Sequence, residues 1–119
     1  MKQYKELTVW KEAMDLVTEV YRLTSTFPDN ERFGHVSQLR RAAVSVPSNI
    51  AEGQGRLSIG EFKQFLGNAR GSLFEVETQL LIARNLGLIN VTESQKIHEL
   101  IKKCGRLLNG LIRSLRNDN

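Results

Sequence analysis

A chain of 119 residues with 40% apolar content and only two prolines can build one hydrophobic core but not several, so residues 1–119 are read as a single domain. No apolar run approaches the roughly 20 residues of a membrane span, and the charged start Met1-Lys2-Gln3-Tyr4-Lys5-Glu6 lacks the apolar stretch of a signal peptide, so a cytoplasmic protein is expected. Seventeen basic against thirteen acidic residues leave a net charge of +4, and the lone Cys104 excludes an internal disulfide.

The pattern predicts four amphipathic helices. The first covers about residues 8–27, with Trp10, Ala13, Met14, Val17, Val20, Tyr21, Thr24 and Phe27 facing inward, Thr8 as its cap and Pro28-Asp29-Asn30 as its stop. The second covers about 31–53. Its apolar stripe of Val36, Leu39, Ala43, Val46 and Ile50 passes straight through Pro47, so a continuous helix bent near that proline is expected, held by packing on both sides. A polar stripe of Gln38, Arg41, Ser45, Asn49 and Glu52 runs beside it at the same spacing, to be paired internally or across a subunit contact. Gly53-Gln54-Gly55 reads as the helix exit.

The third helix, about 58–87, opens with the capping box Ser58-Ile59-Gly60-Glu61 and closes at Gly87. Phe62, Leu66, Ala69, Leu73, Val76, Leu80 and Ala83 form the seam of an antiparallel bundle. Gly67, Gly71, Phe74, Thr78 and Leu81 repeat the spacing on a distinct face. Small residues mixed with large apolar ones mark a candidate subunit interface, and the alternative is one wide buried face.

The fourth helix, about 92–116, is assigned the capping box Thr92-Glu93-Ser94-Gln95 and the seam Ile97, Ile101, Cys104, Leu108, Leu111 and Leu115. Cys104 is thereby a small buried hydrophobe. From Thr92 to Arg116 six cations (Lys96, Lys102, Lys103, Arg106, Arg113 and Arg116) face two anions (Glu93 and Glu99), so this helix carries the chain's whole excess charge. Short turns between the helices favour antiparallel neighbours, hence an all-α, up-down-up-down four-helix bundle.

The sequence offers no catalytic constellation. A carboxylate-bridged metal site in a bundle requires Glu-x-x-His pairs, but His35 has Glu31 four residues before it and His98 has Gln95 three before it, so no metal is expected and both histidines are placed at the surface or an interface. Ser45, Ser48 and Ser72 lie in helical patterns without a Gly-x-Ser-x-Gly elbow, Gly53-Gln54-Gly55 lacks the Lys-Ser/Thr of a phosphate loop, and Glu75 and Glu77 fall on different sides of their helix. No enzyme, cofactor or small-molecule substrate is expected. Lys102, Lys103, Arg106, Arg113 and Arg116, with Arg40 and Arg56 as secondary candidates, can neutralise RNA or DNA phosphates without reading bases. The fourth helix has no aromatic residue for stacking on bases. A merely solvated charged face and a protein-binding scaffold stand as alternatives.

The run Arg40-Arg41-Ala42-Ala43-Val44-Ser45-Val46-Pro47-Ser48-Asn49-Ile50-Ala51-Glu52-Gly53 closely resembles the 23S rRNA-intervening-sequence proteins. Trp10, Ala13 and Leu16, Phe27-Pro28, Phe62-x-x-Phe65-Leu66 and Ala69-x-Gly71-Ser72-Leu73-x-Glu75-x-Glu77-Thr78-Gln79-Leu80 extend the likeness from about Trp10 to Leu88. The resemblance implies an antiparallel four-helix bundle that assembles into a ring, a pentamer, encoded by bacteria in some cases within insertions in 23S rRNA genes, and it brings no activity with it. It also makes Arg41, Ser45, Pro47, Asn49, Glu52 and Gly53 architectural. The accessory proteins of diversity-generating retroelements look like distant relatives, and their basic pentameric barrels engage nucleic acid and a reverse transcriptase. The sequence departs from the family pattern at His35, where an apolar residue is expected, and most of all in the last helix.

Overall fold

The computed structural model describes residues 3–115, with the backbone alone at 31–33. After a 3-10 turn at Tyr4–Glu6, four helices follow: α1 Thr8–Thr24, α2 Ser37–Gln54, α3 Ile59–Asn85 and α4 Val91–Ser114. Each packs on its neighbours in chain order and α4 closes back on α1, with α2 and α3 in the most extensive contact. Cross-helix pairs fix the directions. His35 meets Gln79, Ser45 meets Ser72, and Gly53 lies against Phe62 and Phe65, so α3 descends as α2 ascends. Arg70 with Asn109 and Glu77 with His98 set α4 antiparallel to α3 in the same way. The result is the expected up-down-up-down bundle, 50 × 25 × 20 Å.

The seams of the last three helices are where the pattern placed them. Val36, Leu39, Ala43, Val46 and Ile50, then Leu66, Ala69, Leu73, Val76, Leu80 and Ala83, then Ile97, Ile101, Cys104 and Leu108 are all buried in one cluster, with Leu111 and Leu115 half-buried at its edge. On α1 Ala13, Val20 and Thr24, with Phe27 just beyond the helix, are buried and Trp10 and Val17 partly so, as expected, but the core face is centred differently. Val9, Ala13, Leu16, Val20 and Leu23 are buried, whereas Met14 and Tyr21 are each 42% exposed. Apolar residues span about half the circumference of this helix, and packing in the bundle covers the part that carries Leu16 and Leu23.

Helix ends differ from the sequence reading for identifiable reasons. Thr8 does not cap α1: it is the first helical residue, and Leu7 stands at the cap position without a side-chain hydrogen bond. The helix stops at Thr24, three residues early, where the backbone tightens to bonds from Thr26 to Leu23 and from Phe27 to Thr24, and the hydroxyls of Thr24, Ser25 and Thr26 donate to the carbonyls of Val20, Arg22 and Leu23 at 2.7, 2.7 and 2.8 Å. Residues Asp29–Glu31 form a 3-10 turn and Arg32–Val36 a π-helical turn before α2. The fourth helix begins earlier than the Thr92 box allowed, since Asn90 accepts from the Glu93 amide at 2.8 Å while Glu93 accepts from the Asn90 amide. Asparagine followed three residues later by glutamate is the stronger pairing. Ser58 caps α3 as expected.

Pro47 is buried within an unbroken α2. The missing amide leaves the Ala43 carbonyl without its usual donor, and full burial of Ala43, Val46 and Ile50 around it supplies the compensating packing. Gly53 is not the helix terminator that its sequence suggested, because it lies inside α2 and the helix ends one residue later without a left-handed residue. It is needed for proximity: a Cβ there would stand 2.7 Å from the Phe65 Cβ and 3.2 Å from the Phe62 carbonyl oxygen. Gly87 is the true left-handed terminator, at φ 76°, with the Gly87 amide donating to Arg84 and the Leu88 amide to Ala83.

Gly53→Ala is therefore expected to destabilise the fold by about 1–3 kcal/mol, since backbone must move to admit one methyl group. The midpoint of urea denaturation measures this, and an unchanged midpoint would refute the close approach.

Candidate nucleic-acid interface and subunit face

Helix α4 buries its apolar seam against the core and turns its cations outward. Lys102, Arg106 and Arg113 recur at spacings of four and seven, so they share one face. All three are exposed, and among the described residues none makes an ion pair or side-chain hydrogen bond. The helical rise sets them about 6 and 10 Å apart along the axis, close to two and three steps of a nucleic-acid strand carrying one charge per roughly 3.4 Å. Arg116 lies outside the described residues.

Lys103 does not belong to this line. It leans toward α1, where its Nζ is 2.7 Å from Glu12 Oε1, because its position is one residue off the outward face and the α1 flank supplies a carboxylate. The two secondary candidates are also engaged within the chain. Arg40 donates from Nε to Thr24 Oγ1 at 2.8 Å and reaches the Tyr21 carbonyl, with its guanidinium 4.4 Å from the centre of the Tyr21 ring. It thus sets a positive charge at the C-terminal end of α1, where the helix dipole favours one. Arg56 lies 4.5 Å above the Phe65 ring and 3.7 Å from Glu52.

The second stripe of α3 faces out of the bundle. Gly67, Gly71 and Thr78 are exposed, Phe74 is 54% exposed and Leu81 is half-buried. A Cβ added at Gly67 or Gly71 would meet nothing within 4 Å, so the monomer has no steric need for glycine at either position. One wide buried face is thereby ruled out for the single chain.

The motif residues lie on the α2–α3 flank. Asn49 donates to both the carbonyl and the hydroxyl of Ser45 at 2.8 and 2.9 Å, and the Ser45 and Ser72 hydroxyls are hydrogen-bonded to each other at 2.8 Å. Arg41 donates to Ser37 at the surface. Sequence reading missed Gln79, which anchors one end of this seam. Its side chain is buried and its Nε2 donates to Gln38 at 3.3 Å and, more weakly, to Glu75, while its backbone carbonyl bonds His35. A polar residue between Val76 and Leu80 on the core side of the helix was the available signal. Both histidines are half-buried and tied to α3, His98 through Glu77 at 3.3 Å.

Cys104 is fully buried beneath the Glu12–Lys103 pair. Burial first, and then the negative charge of Glu12, push its thiol from 9.0 up to about 12. Among the described residues no three His, Cys, Asp or Glu side chains converge as metal ligands would, and no helix is long and apolar enough to cross a membrane.

A four-helix antiparallel bundle with a proline-containing second helix, a polar α2–α3 seam and an outward cationic α4 is the class of protein that this geometry defines. The family model of the 23S rRNA-intervening sequence proteins matches residues 5–110, and the chain belongs to that family. Its fold is similar to a solved structure from Bacteroides thetaiotaomicron, described as a protein of unknown function from the S23 ribosomal protein family. The TM-score is 0.82 at 20% identity, over 88% of this chain and 95% of that one. No curated protein is significantly similar in sequence.

The raised thiol carries a sign. The unfolded chain ionises near pH 9 while the folded one holds its proton to about 12, so this group's contribution to stability is complete below pH 9 and is lost as pH rises through that window. A Cys104→Ala variant is expected to lose less stability than the parent between pH 9 and 11 in denaturation curves. Identical pH profiles would contradict the burial of the thiol.

Proposed function

We propose that the chain is a non-enzymatic, oligomeric protein that binds RNA or DNA through the outward line of α4. The observation that carries this reading is the set Lys102, Arg106 and Arg113, three exposed cations on one face without partners among the described residues. Cations spaced along a helix neutralise phosphates, release counterions and give salt-dependent, weakly selective binding. The ring that the family resemblance implies would repeat this line about one axis and concentrate its field. Lys103 contributes less than its neighbours, because binding a phosphate would require it to leave Glu12.

Replacing Lys102, Arg106 and Arg113 together with glutamine is expected to leave the fold intact and weaken binding to a mixed-sequence RNA or DNA oligonucleotide. The log–log salt slope should fall by about 2–3, near one phosphate per cation removed. Fluorescence anisotropy at several salt concentrations reads both quantities, and an unchanged slope would exclude this face.

A second reading, a scaffold that holds a protein partner or another copy without nucleic acid, is favoured by the open space at Gly67 and Gly71 beside the exposed Phe74. Exposed mid-helix glycine costs about 0.5–1 kcal/mol relative to alanine. Gly67→Ala and Gly71→Ala are accordingly expected to raise the stability of the isolated chain while loosening association through α3. Light scattering gives the mass and denaturation at high dilution gives the stability. A stabilised variant of unaltered mass would remove α3 as the subunit face.

A further inference from the structure

The outward stripe of α3 runs the whole length of the helix, from Gly60 to Asn85 at alternating steps of four and three, and no position on it is charged. It is a second heptad seam, back to back with the buried one. Every residue on it is exposed except the half-buried Leu81. Bulk is unevenly distributed along it. The three glycines, Gly60, Gly67 and Gly71, lie in the first half, and a Cβ at any of them would meet nothing within 4 Å. Phe74, Thr78 and Leu81 follow in the second half, and the Thr78 hydroxyl is already satisfied by the Phe74 carbonyl at 2.9 Å.

The two halves complement each other. When a second α3 lies antiparallel on the first about a two-fold axis between Ser72 and Leu73, Gly71 meets the partner's Phe74, Gly67 the partner's Thr78 and Gly60 the partner's Asn85. Gln64 then stands beside the partner's Leu81. One centre satisfies all four pairs, and each sets a large side chain over a small or unbranched one, as knobs entering holes require. A foreign helix would need bulk opposite the glycines, but it would not require the halves of this helix to match each other. That internal match selects a second copy. Charge agrees over the middle of the contact: on the rim toward α4, Arg70 comes opposite the partner's Glu77, and on the other rim Glu75 comes opposite the partner's Asn68. Arg70 and Glu77 keep Asn109 and His98 as partners within the chain, so this rim supplies matched charge without a new bond. The like-charged Lys63 and Arg84 approach only at the two ends, about 15 Å from the axis, where solvent screens them. We propose that two copies of the chain pair through α3, antiparallel about this two-fold axis. This rests on the reading of α3 as an association face and names its occupant and register. The contact closes at two copies, so a ring has to be built from other surfaces. About 38 Å long and one helix wide, it covers roughly 400 Å² on each copy, the size of a weak, exchanging contact.

Disulfide trapping of the nucleic-acid-free full chain tests the register. Gln64→Cys and Leu81→Cys are made as separate variants, oxidised mildly alone and mixed, and resolved on non-reducing gels. The mixture is expected to give a 64–81 linked dimer. Neither variant alone should link, because like positions stand roughly 25 Å apart across the axis, far beyond disulfide reach. The native Cys104 is buried and does not compete. Phe74→Lys, a change at an exposed position, should keep the fold, weaken the reversible doubling of mass in sedimentation equilibrium at least about tenfold, and abolish linking when placed in both variants. Met14→Lys, exposed on α1, should do neither. Linking by one variant alone, or linking undiminished by Phe74→Lys, would overturn the pairing. Loss of mass doubling in Phe74→Lys with no 64–81 link in the mixture would overturn the two-fold register while leaving α3 as an association face. Mass unaltered by Phe74→Lys would remove both.

Discussion

The contact between α2 and α3 governs the rest of the bundle. At one end the two backbones approach closely enough that Gly53 has no room for a Cβ against Phe65. Along the middle, Asn49, Ser45 and Ser72 form a hydrogen-bonded chain, and at the far end Gln79 joins His35 and Gln38. Apolar packing is non-directional and tolerates sliding of one helix along another. Hydrogen bonds at two levels do not, since a slip of one turn would leave these partly buried groups unpaired. The register so fixed also explains how α2 accommodates Pro47, because the lost backbone bond occurs in the helix held most extensively by its neighbour.

With α2 and α3 committed to each other, the surfaces divide by flank. The α2–α3 flank is polar and internally satisfied apart from the buried Oε1 of Gln79. The outer face of α3 is apolar and small, the outer face of α4 is cationic, and the α1–α4 flank is an apolar groove with a charged rim. Arg40 and Arg56 illustrate how context redirects a cation, since each covers an aromatic ring and completes local structure on its own flank. Among the described residues Lys102, Arg106 and Arg113 of α4 have no such neighbours, whereas Lys103 is held by Glu12.

Much of this was legible in the chain. Seam residues of α2, α3 and α4 follow from steps of three and four because burial requires one continuous face. The second α3 stripe was visible for the same reason. The capping pairs were harder, because Asn90 and Thr92 both offer plausible starts to α4 and only the geometry of the preceding turn chooses Asn90. Helix α1 was ambiguous in rotation, since Met14 and Tyr21 also carry large apolar surface and the fold leaves them exposed while it buries Leu16 and Leu23.

The sequence alone determined the number of helices, their order, their antiparallel arrangement and the concentration of positive charge in the last of them, since periodicity, turn residues and composition are properties of the chain read locally. Tertiary structure decided which glycine serves proximity and which serves a turn. It also decided that Lys103 is paired while Lys102 has no partner among the described residues, that Gln79 joins the polar seam, and that a groove opens between α1 and α4. Each of these depends on what a distant segment places within a few ångströms, and no local pattern encodes that distance.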